Sequence, residues 1–260
     1  MKNIPLPDLI QRASDLVLGS KYTVVFTGAG ISTPSGIPDF RSANDGLWTK
    51  SDPMEVASYS AFRYHPEKFF NWLKPLAEHI WDASPNSAHE SLAQLEQAGY
   101  IQALITQNID GLHQKAGSKQ VVEVHGSMNH LRCMVCRLSY PADAYFQQFI
   151  SAGELPRCSN CHSLLKPEIT LFEELLPYEA WSSAVKHSEN ADLFIVIGSS
   201  LEVTPASSLP LTALQSGAKL IINTLSSTYL DQRADLVIPY DVTEAIPAIT
   251  QTVLQNSGKE

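Results

Sequence analysis

The feature that most narrows the fold is a series of six short apolar, largely β-branched runs: Tyr22 to Phe26, Ile101 to Ile105, Val121 to Val124, Leu193 to Ile197, Leu220 to Ile222 and Leu236 to Ile238. Most of them open within a few residues into Gly, Asn or Ser. Runs this short, apolar throughout rather than alternating, read as strands covered on both faces of a parallel sheet. Helix-like segments lie between several of them, for example Ser87 to Gln97, with apolar Ala88, Leu92, Ala93 and Leu95 after Pro85-Asn86. Strand alternating with helix predicts an α/β chain built on a Rossmann-type, doubly wound parallel sheet.

Two stretches interrupt the alternation. From about Ser42 to Ser84 the aromatics Trp48, Phe62, Phe69, Phe70, Trp72 and Trp81 fall at helical spacing with little strand signal, which predicts a helical segment over an aromatic core. From about Leu131 to Lys166 come all four cysteines, Cys133, Cys136, Cys158 and Cys161, as two Cys-x-x-Cys pairs. The expected partition is therefore a Rossmann-type domain from 1–41, 85–130 and 166–260, and a smaller inserted lobe with a helical part, 42–84, and a cysteine part, 131–165.

The cysteine pairs are separated by 21 residues, close to the spacing of a zinc ribbon. Two residues between cysteines let both thiolates reach one tetrahedral ion, and four thiolates leave no open position, so one structural zinc is expected. Two redox pairs, or four unrelated core cysteines, are the competing readings. His130 and His162 lie nearby but are superfluous as ligands.

Composition excludes several classes of function. The 260 residues carry 18 basic and 27 acidic side chains, a net charge of −9, with no run of five like charges. Direct nucleic-acid binding, which needs a clustered basic face, is not expected. No apolar stretch approaches the roughly 20 residues that span a bilayer, and the start Met1-Lys2-Asn3-Ile4-Pro5 lacks a secretion signal. A cytoplasmic protein without membrane contact is expected, and nothing demands more than a monomer.

The chemistry-bearing residues follow the strands. After the first comes Gly28-Ala29-Gly30-Ile31-Ser32, where a dinucleotide fold places its phosphate loop. Thr33 stands where the third glycine of the usual fingerprint would be, and no acidic strand end follows about 20 residues on, which disfavours a hydride-transferring dehydrogenase. The loop continues to Pro38-Asp39-Phe40-Arg41, a ligand-covering segment. After the second strand lies Thr106-Gln107-Asn108-Ile109-Asp110-Gly111-Leu112-His113, read alone as either turn caps or a ligand edge. After the third, His125 has a near-neutral pKa suited to a general base, though a structural histidine reads equally well there. Gly198-Ser199-Ser200-Leu201 and Ile222-Asn223-Thr224 place further small polar groups on the same rim.

Together these stretches resemble the sirtuin family of NAD-dependent protein-lysine deacylases, of bacterial or archaeal type. The likeness runs through Ser35-Gly36-Ile37-Pro38-Asp39-Phe40-Arg41, His125-Gly126-Ser127, Lys166-Pro167, Phe172-x-Glu174-x-Leu176-Pro177 and Gly198-Ser199-Ser200-Leu201-x-Val203-x-Pro205-Ala206, roughly from Leu16 to Ile249. It implies NAD as co-substrate, a structural zinc on the four cysteines and a cleft between the two lobes. By resemblance, Gly28, Ala29, Gly30, Thr33, Phe40 and Arg41 would hold the phosphates and cover the ribose. Gln107, Asn108, Ile109 and Asp110 would line the nicotinamide side, with Asn108 and Asp110 near the chemistry. Ser199, Ser200, Asn223, Thr224 and Val242 would hold the adenosine half. His125 would be the base. The substrate, an acyl-lysine peptide or protein, would add as a strand between two loops, using the Thr170 carbonyl with Phe172, Glu174 and Val203.

The implied reaction moves the acyl group from lysine to the ribose, giving nicotinamide, free lysine and 2′-O-acyl-ADP-ribose. His125 would deprotonate a ribose hydroxyl, and water must be excluded or NAD is simply hydrolysed. Two departures stand out. Glu173 replaces the family's usual Gly, which is expected to remove a backbone conformation with positive φ. After Asn223 the usual acidic residue is missing. Phe70 and Leu73 occupy the stretch where succinyl-preferring relatives carry a Tyr and an Arg, so an uncharged acyl group is expected. ADP-ribosyl transfer on the same fold is the alternative activity, and a non-catalytic NAD or zinc module is a third reading.

Overall fold

The computed structural model describes residues 4–39, 49 and 51–256. Six parallel strands form the main sheet: β1 (Thr23–Thr27), β2 (Ala103–Thr106), β3 (Val121–Glu123), β7 (Leu193–Ile197), β8 (Lys219–Asn223) and β9 (Leu236–Ile238). These are the six runs expected from the sequence, shifted by a residue or two at their ends. Three further strands, β4 (Gly126–Cys133), β5 (Ser139–Pro141) and β6 (Leu165–Ile169), form a small antiparallel sheet in the order β5-β4-β6. The helices are α1 (Leu6–Gly19), α2 (Pro53–Val56), α3 (Tyr59–Tyr64), α4 (Pro66–Asp82), α5 (Ser87–Gln97), α6 (Leu112–Lys115), α7 (Asp143–Ala152), α8 (Tyr178–Asn190), α9 (Leu209–Gln215) and α10 (Val242–Asn256).

The main sheet runs β3-β2-β1-β7-β8-β9, which is the doubly wound Rossmann order once its six strands are numbered among themselves. Both faces are covered, as the apolar runs require. Val25, Ile195 and Ile197 point to the side of α1, α5 and α10, where Leu9, Leu92 and Ile246 meet them. Val24, Phe26, Phe194 and Val196 point to the other side, against Ala184 of α8 and Leu209 and Ala213 of α9. Helix α5 starts at a capping box, Asn86 accepting from the Ala88 N–H while its own N–H donates to His89. The Asn86 amide also donates to the Ile31 carbonyl at 2.8 Å, tying this helix to the loop after β1.

Both interruptions condense into one smaller lobe. Phe62, Phe69, Phe70 and Leu73 of α3 and α4 share a core with Leu131 and Cys133 of β4, Phe146 and Phe149 of α7 and Leu165 of β6. The Phe70 and Phe149 rings meet edge to face at 5.3 Å, the arrangement that aromatic quadrupoles favour. Trp72 and Trp81 pack at the margin of this core, while Trp48 lies outside the described residues. The small sheet, Gly126–Cys133 and Leu165–Ile169 included, runs past both ends of the expected 131–165 stretch. Its strands interleave polar residues with apolar ones, exposed in β4 at Asn129, His130 and Arg132 and buried in β6 at Lys166, so they lack the apolar runs that mark the main sheet. No helix among the described residues is long and apolar enough to cross a membrane.

Candidate active site

A cleft of about 1330 Å³ runs along the carboxyl ends of the main-sheet strands and is closed on its other side by the small lobe. Its centre is the topological switch point, where the loops after β1 and β7 leave in opposite directions. They meet in very close contact there. The Gly28 N–H donates to the Ile197 carbonyl at 3.1 Å and the Gly30 N–H to the Gly198 carbonyl at 2.8 Å. Gly198 sits at φ +62°, and a β-carbon on it would lie 2.3 Å from the Ile31 nitrogen. The glycines are thus explained first by loop-to-loop packing, with those two N–H groups directed at β7 rather than into the cleft.

The surface left facing the cleft is small and polar. Gly28, Ala29, Gly30 and Thr33 line one side, Ser199 and Ser200 the middle, and Thr224, Ser226 and Val242 the far end. Hydroxyls and close-approaching backbone, in a space larger than the about 300–1,000 Å³ of ordinary ligand pockets, fit a long polyhydroxylated dinucleotide together with a peptide segment. Phe40 and Arg41, the remaining expected phosphate-side residues, lie outside the described residues. Asn223 is not on the wall. It is fully buried, and its amide donates to the Ile238 and Tyr240 carbonyls at 2.8 Å each, holding the loop that leads into α10. Asp241, at the start of that helix, lines the cleft while accepting from the Thr243 N–H.

The loop after β2 brings Gln107, Asn108 and Ile109 to the cleft. Gln107 donates to Ser199 at 2.9 Å, bridging this loop to the one after β7. The Asn108 amide donates to the Gly28 carbonyl and to Ser32 at 3.1 Å each. Asp110 sits behind the wall, accepting from Ser32 at 2.7 Å and from the Leu112 N–H at 2.9 Å. Burial raises its pKa, against the bonds from Leu112 and Ser32 and the charge of Lys115. Asn108 and Asp110 therefore converge on Ser32, and Asp110 shapes the pocket from behind it.

His125 lies at the junction of the two lobes and lines the cleft. Its Nδ1 is 3.0 Å from the Gln107 carbonyl. A carbonyl can only accept, so Nδ1 carries the proton and Nε2 is left with its lone pair. Burial lowers the His125 pKa, partly offset by that bond, which favours the neutral ring. The position is rigid. Gly126 sits at φ +75°, where a β-carbon would lie 2.0 Å from the Glu168 carbonyl, and the His125 carbonyl accepts from the Thr170 N–H at 2.8 Å.

The opposite wall belongs to the small lobe. Thr170, Phe172 and Glu174 line it from the segment after β6, and Val203 faces them from the segment after β7. Phe172 pairs with the 57–59 segment, its N–H donating to Ala57 and its carbonyl accepting from Tyr59. Glu174 is committed to the protein: its Oε2 lies 2.8 Å from the buried Lys166 ammonium and accepts from the Leu171 N–H at 2.9 Å. Glu173 corrects an expectation, because it keeps the positive φ of a glycine, +74°. Its carboxylate accepts from the Ser60 N–H at 2.9 Å, which holds the residue in that strained region.

Phe70 and Leu73 are fully buried in the lobe core, so they do not face the cleft. The face of α4 that does is Trp72, Leu76 and His79. These residues escape sequence reading because their spacing is equally that of a core face. Among the described lining residues there is no Lys or Arg, while Asp39, Glu173, Glu174, Glu202 and Asp241 contribute carboxyl groups.

The four cysteines form a separate cluster within the small lobe, and none is in a disulfide. Their sulfur atoms all lie within 4.8 Å of one another, with Cys133 to Cys161 at 3.4 Å, Cys136 to Cys158 at 3.5 Å and Cys136 to Cys161 at 3.8 Å. Zinc–thiolate bonds of about 2.3 Å in a tetrahedron put sulfurs about 3.8 Å apart, so the set fits a closed zinc site. Tyr140 lies 3.1 Å from the Cys158 sulfur. His130 and His162 are exposed and stand outside the cluster.

Known proteins agree with this architecture. NAD-dependent protein deacylase 2 of Archaeoglobus fulgidus is 44% identical over 249 residues, covering 95% of this chain and 97% of its own. A Sir2 variant solved with a deacetylated peptide and 3′-O-acetyl ADP ribose superposes with a TM-score of 0.88 at 42% identity, over 94% of this chain and 98% of that one. A Sir2 protein bound to a propionylated peptide gives a TM-score of 0.82 at 41% identity, over 96% and 99% of the two chains. The sequence pattern of the Sir2 family matches residues 28–205, from the glycine junction through the histidine and both cysteine pairs to the segment after β7. With that pattern, this sheet order and relatives matching end to end, the chain belongs to the Sir2 family.

Proposed function

We propose that the protein is an NAD-dependent protein-lysine deacetylase that also accepts other uncharged acyl groups. The observation that carries this reading is His125: an imidazole with its proton pinned on Nδ1 by the Gln107 carbonyl, lining the cleft between the glycine junction of the main sheet and the wall of the small lobe. NAD would supply an activated ribose carbon, whose bond to nicotinamide breaks as the acyl-lysine amide oxygen bonds to it, and a ribose hydroxyl to which the acyl carbon then passes, with one water consumed as the lysine amine leaves. The residues of this chain do the rest. Nε2 of His125 takes a proton from a ribose hydroxyl, a general-base contribution of about 10²–10⁴-fold. Gln107, bonded to Ser199, keeps the two rim loops in register beside it.

The close-packed glycine junction lets Ala29, Thr33, Ser199 and Ser200 surround phosphate and ribose oxygens, while Thr224 and Val242 border the adenosine end. The peptide adds beside Thr170 and Phe172 on one loop and Val203 on the other, with backbone pairing giving affinity and little sequence reading. Ile109, Trp72 and Leu76 keep the reacting end apolar, which limits wasteful hydrolysis of NAD. The absence of Lys or Arg among the described lining residues supports an uncharged acyl preference, since none of those residues gives a succinyl carboxylate a guanidinium or ammonium to pair with. The first ester formed is the 2′ one, and neighbouring hydroxyls allow it to pass to the 3′ position. Zinc stays outside the chemistry, in a closed thiolate site.

Four cysteines gathered at one metal-type site rather than paired as disulfides are in keeping with a protein that works in the reducing cytoplasm. The test is mass spectrometry of an acetyl-lysine and a succinyl-lysine peptide with and without NAD. Stoichiometric nicotinamide, acetyl-ADP-ribose and free lysine, with acetyl turned over at least tenfold faster than succinyl, is the expected result. NAD-dependent mass gain on a protein acceptor without deacetylation contradicts it and assigns ADP-ribosyl transfer instead.

A further inference from the structure

Lys166 is only 5% exposed, a degree of burial that lysine rarely shows unless it is paired. An ammonium has three N–H donors, and each has an acceptor here: the Pro167 carbonyl at 3.2 Å, the Ile169 carbonyl at 2.6 Å and Glu174 Oε2 at 2.8 Å. The same Oε2 accepts the Leu171 N–H at 2.9 Å, and the Glu174 N–H returns to the Leu171 carbonyl at 3.1 Å. A single buried cation thereby closes a ring of contacts around the inside of the Ile169–Glu174 turn. From outside, the turn is held by Thr170 to His125 and by Phe172 to Ala57 and Tyr59. Between these two sets of ties lie Thr170 and Phe172, the groups presented to the cleft.

Replacing a buried ion pair by apolar residues of similar volume is often neutral or stabilising. Stability is therefore a poor account of this pair, whereas three directed contacts to one turn are something no methionine can make. Lys166 itself does not line the cleft; Glu174 does. We propose that Lys166, acting through Glu174, is the positioning residue of the peptide-binding turn: it sets the Thr170 carbonyl and the Phe172 ring at the height at which the acyl-lysine backbone and side chain engage them. This rests on the deacylase reading, and it moves Glu174 from a substrate contact to part of the support beneath one.

The experiment compares steady-state kinetics of the zinc-loaded full chain, wild type against Lys166→Met, Lys166→Arg, Glu174→Gln and the double variant Lys166→Met/Glu174→Gln, with an acetyl-lysine peptide and NAD varied separately. Lys166→Met is expected to raise the peptide KM at least tenfold and leave the NAD KM within twofold. The double variant, free of the unpaired carboxylate, is expected to regain the wild-type melting temperature and keep the raised peptide KM. Lys166→Arg recovers part of the loss. Should the single variant fail to fold, the double variant carries the test. A peptide KM within twofold of wild type in the folded double variant overturns the inference, as does an equal rise in both KM values. A wild-type protein with no NAD-dependent turnover overturns the deacylase reading itself, and this inference with it.

Discussion

The two walls of the cleft are made in different ways. The main sheet is a hydrogen-bonded ladder buried on both sides: six parallel strands, apolar on both faces, with helices against each side. The small lobe has three antiparallel strands and a core in which phenylalanines from the helical part pack against the cysteine part. A cysteine module of this size cannot bury enough surface to fold unaided. One wall is thus expected to outlast the loss of a metal and the other to depend on it, and His125 sits at the seam between them.

Zinc removal breaks this comparison most severely. Structural zinc contributes about 10–16 kcal/mol to folding of such modules, so a strong chelator is expected to abolish peptide-dependent turnover. Circular dichroism should then show the parallel sheet and its helices retained, and loss of all structure together would show instead that the two walls fold as one unit.

Acid should discriminate the walls in the opposite sense. His89 and His113 are buried on the main-sheet side with ring centroids 4.8 Å apart. Burial lowers the His89 pKa to about 4, and it lowers that of His113 in the same direction. A histidine whose folded pKa is depressed binds its proton better when unfolded, so its stabilising contribution is present above about pH 6.5 and is lost as pH falls from there toward 4. For His89 this amounts to about 3 kcal/mol between pH 7 and 4. Urea titrations at pH 7.5 and pH 5 measure the loss. His89→Gln, which keeps a side chain suited to the capping box, should flatten it; an unchanged slope contradicts the assignment.

The smallest effect concerns Glu173. Glycine relieves the positive φ, worth about 1–2 kcal/mol, but it returns about 0.4–1 kcal/mol of unfolded-chain entropy, and Glu173→Gly also forfeits the bond to the Ser60 N–H. Thermal melting should shift by no more than a few degrees, with peptide KM within threefold of wild type. A larger rise would make the Glu173 carboxylate a substrate contact.

These contrasts explain which parts of the molecule could be read from the sequence. The parallel strands were legible because a strand buried on both faces must be apolar throughout, as Leu193 to Ile197 is. The zinc site was legible because ligand spacing is a local property. The strands β4 and β6 were hidden, since polar residues interleaved with their apolar ones mimic loop composition. Local spacing also could not separate Asp110 and Asn223, which hold the rim from behind, from Gln107 and Ser199, which face the cleft. The sequence marks Lys166 and Glu174 as notable but cannot show that they meet, because their pairing depends on how the turn between them folds. Glu173 was misjudged for the same reason: its strained φ is sustained by a partner far away in sequence.

The most direct test of the account is to separate the two halves of the reaction in His125→Ala. If His125 acts as the base on the ribose hydroxyl, after nicotinamide has left, the variant should still bind NAD and still exchange labelled nicotinamide into NAD in the presence of acetyl-peptide. Its deacetylation rate should fall by about 10²–10⁴-fold. Deacetylation within tenfold of wild type, or loss of exchange and deacetylation in equal measure with NAD binding intact, would contradict the role assigned to His125.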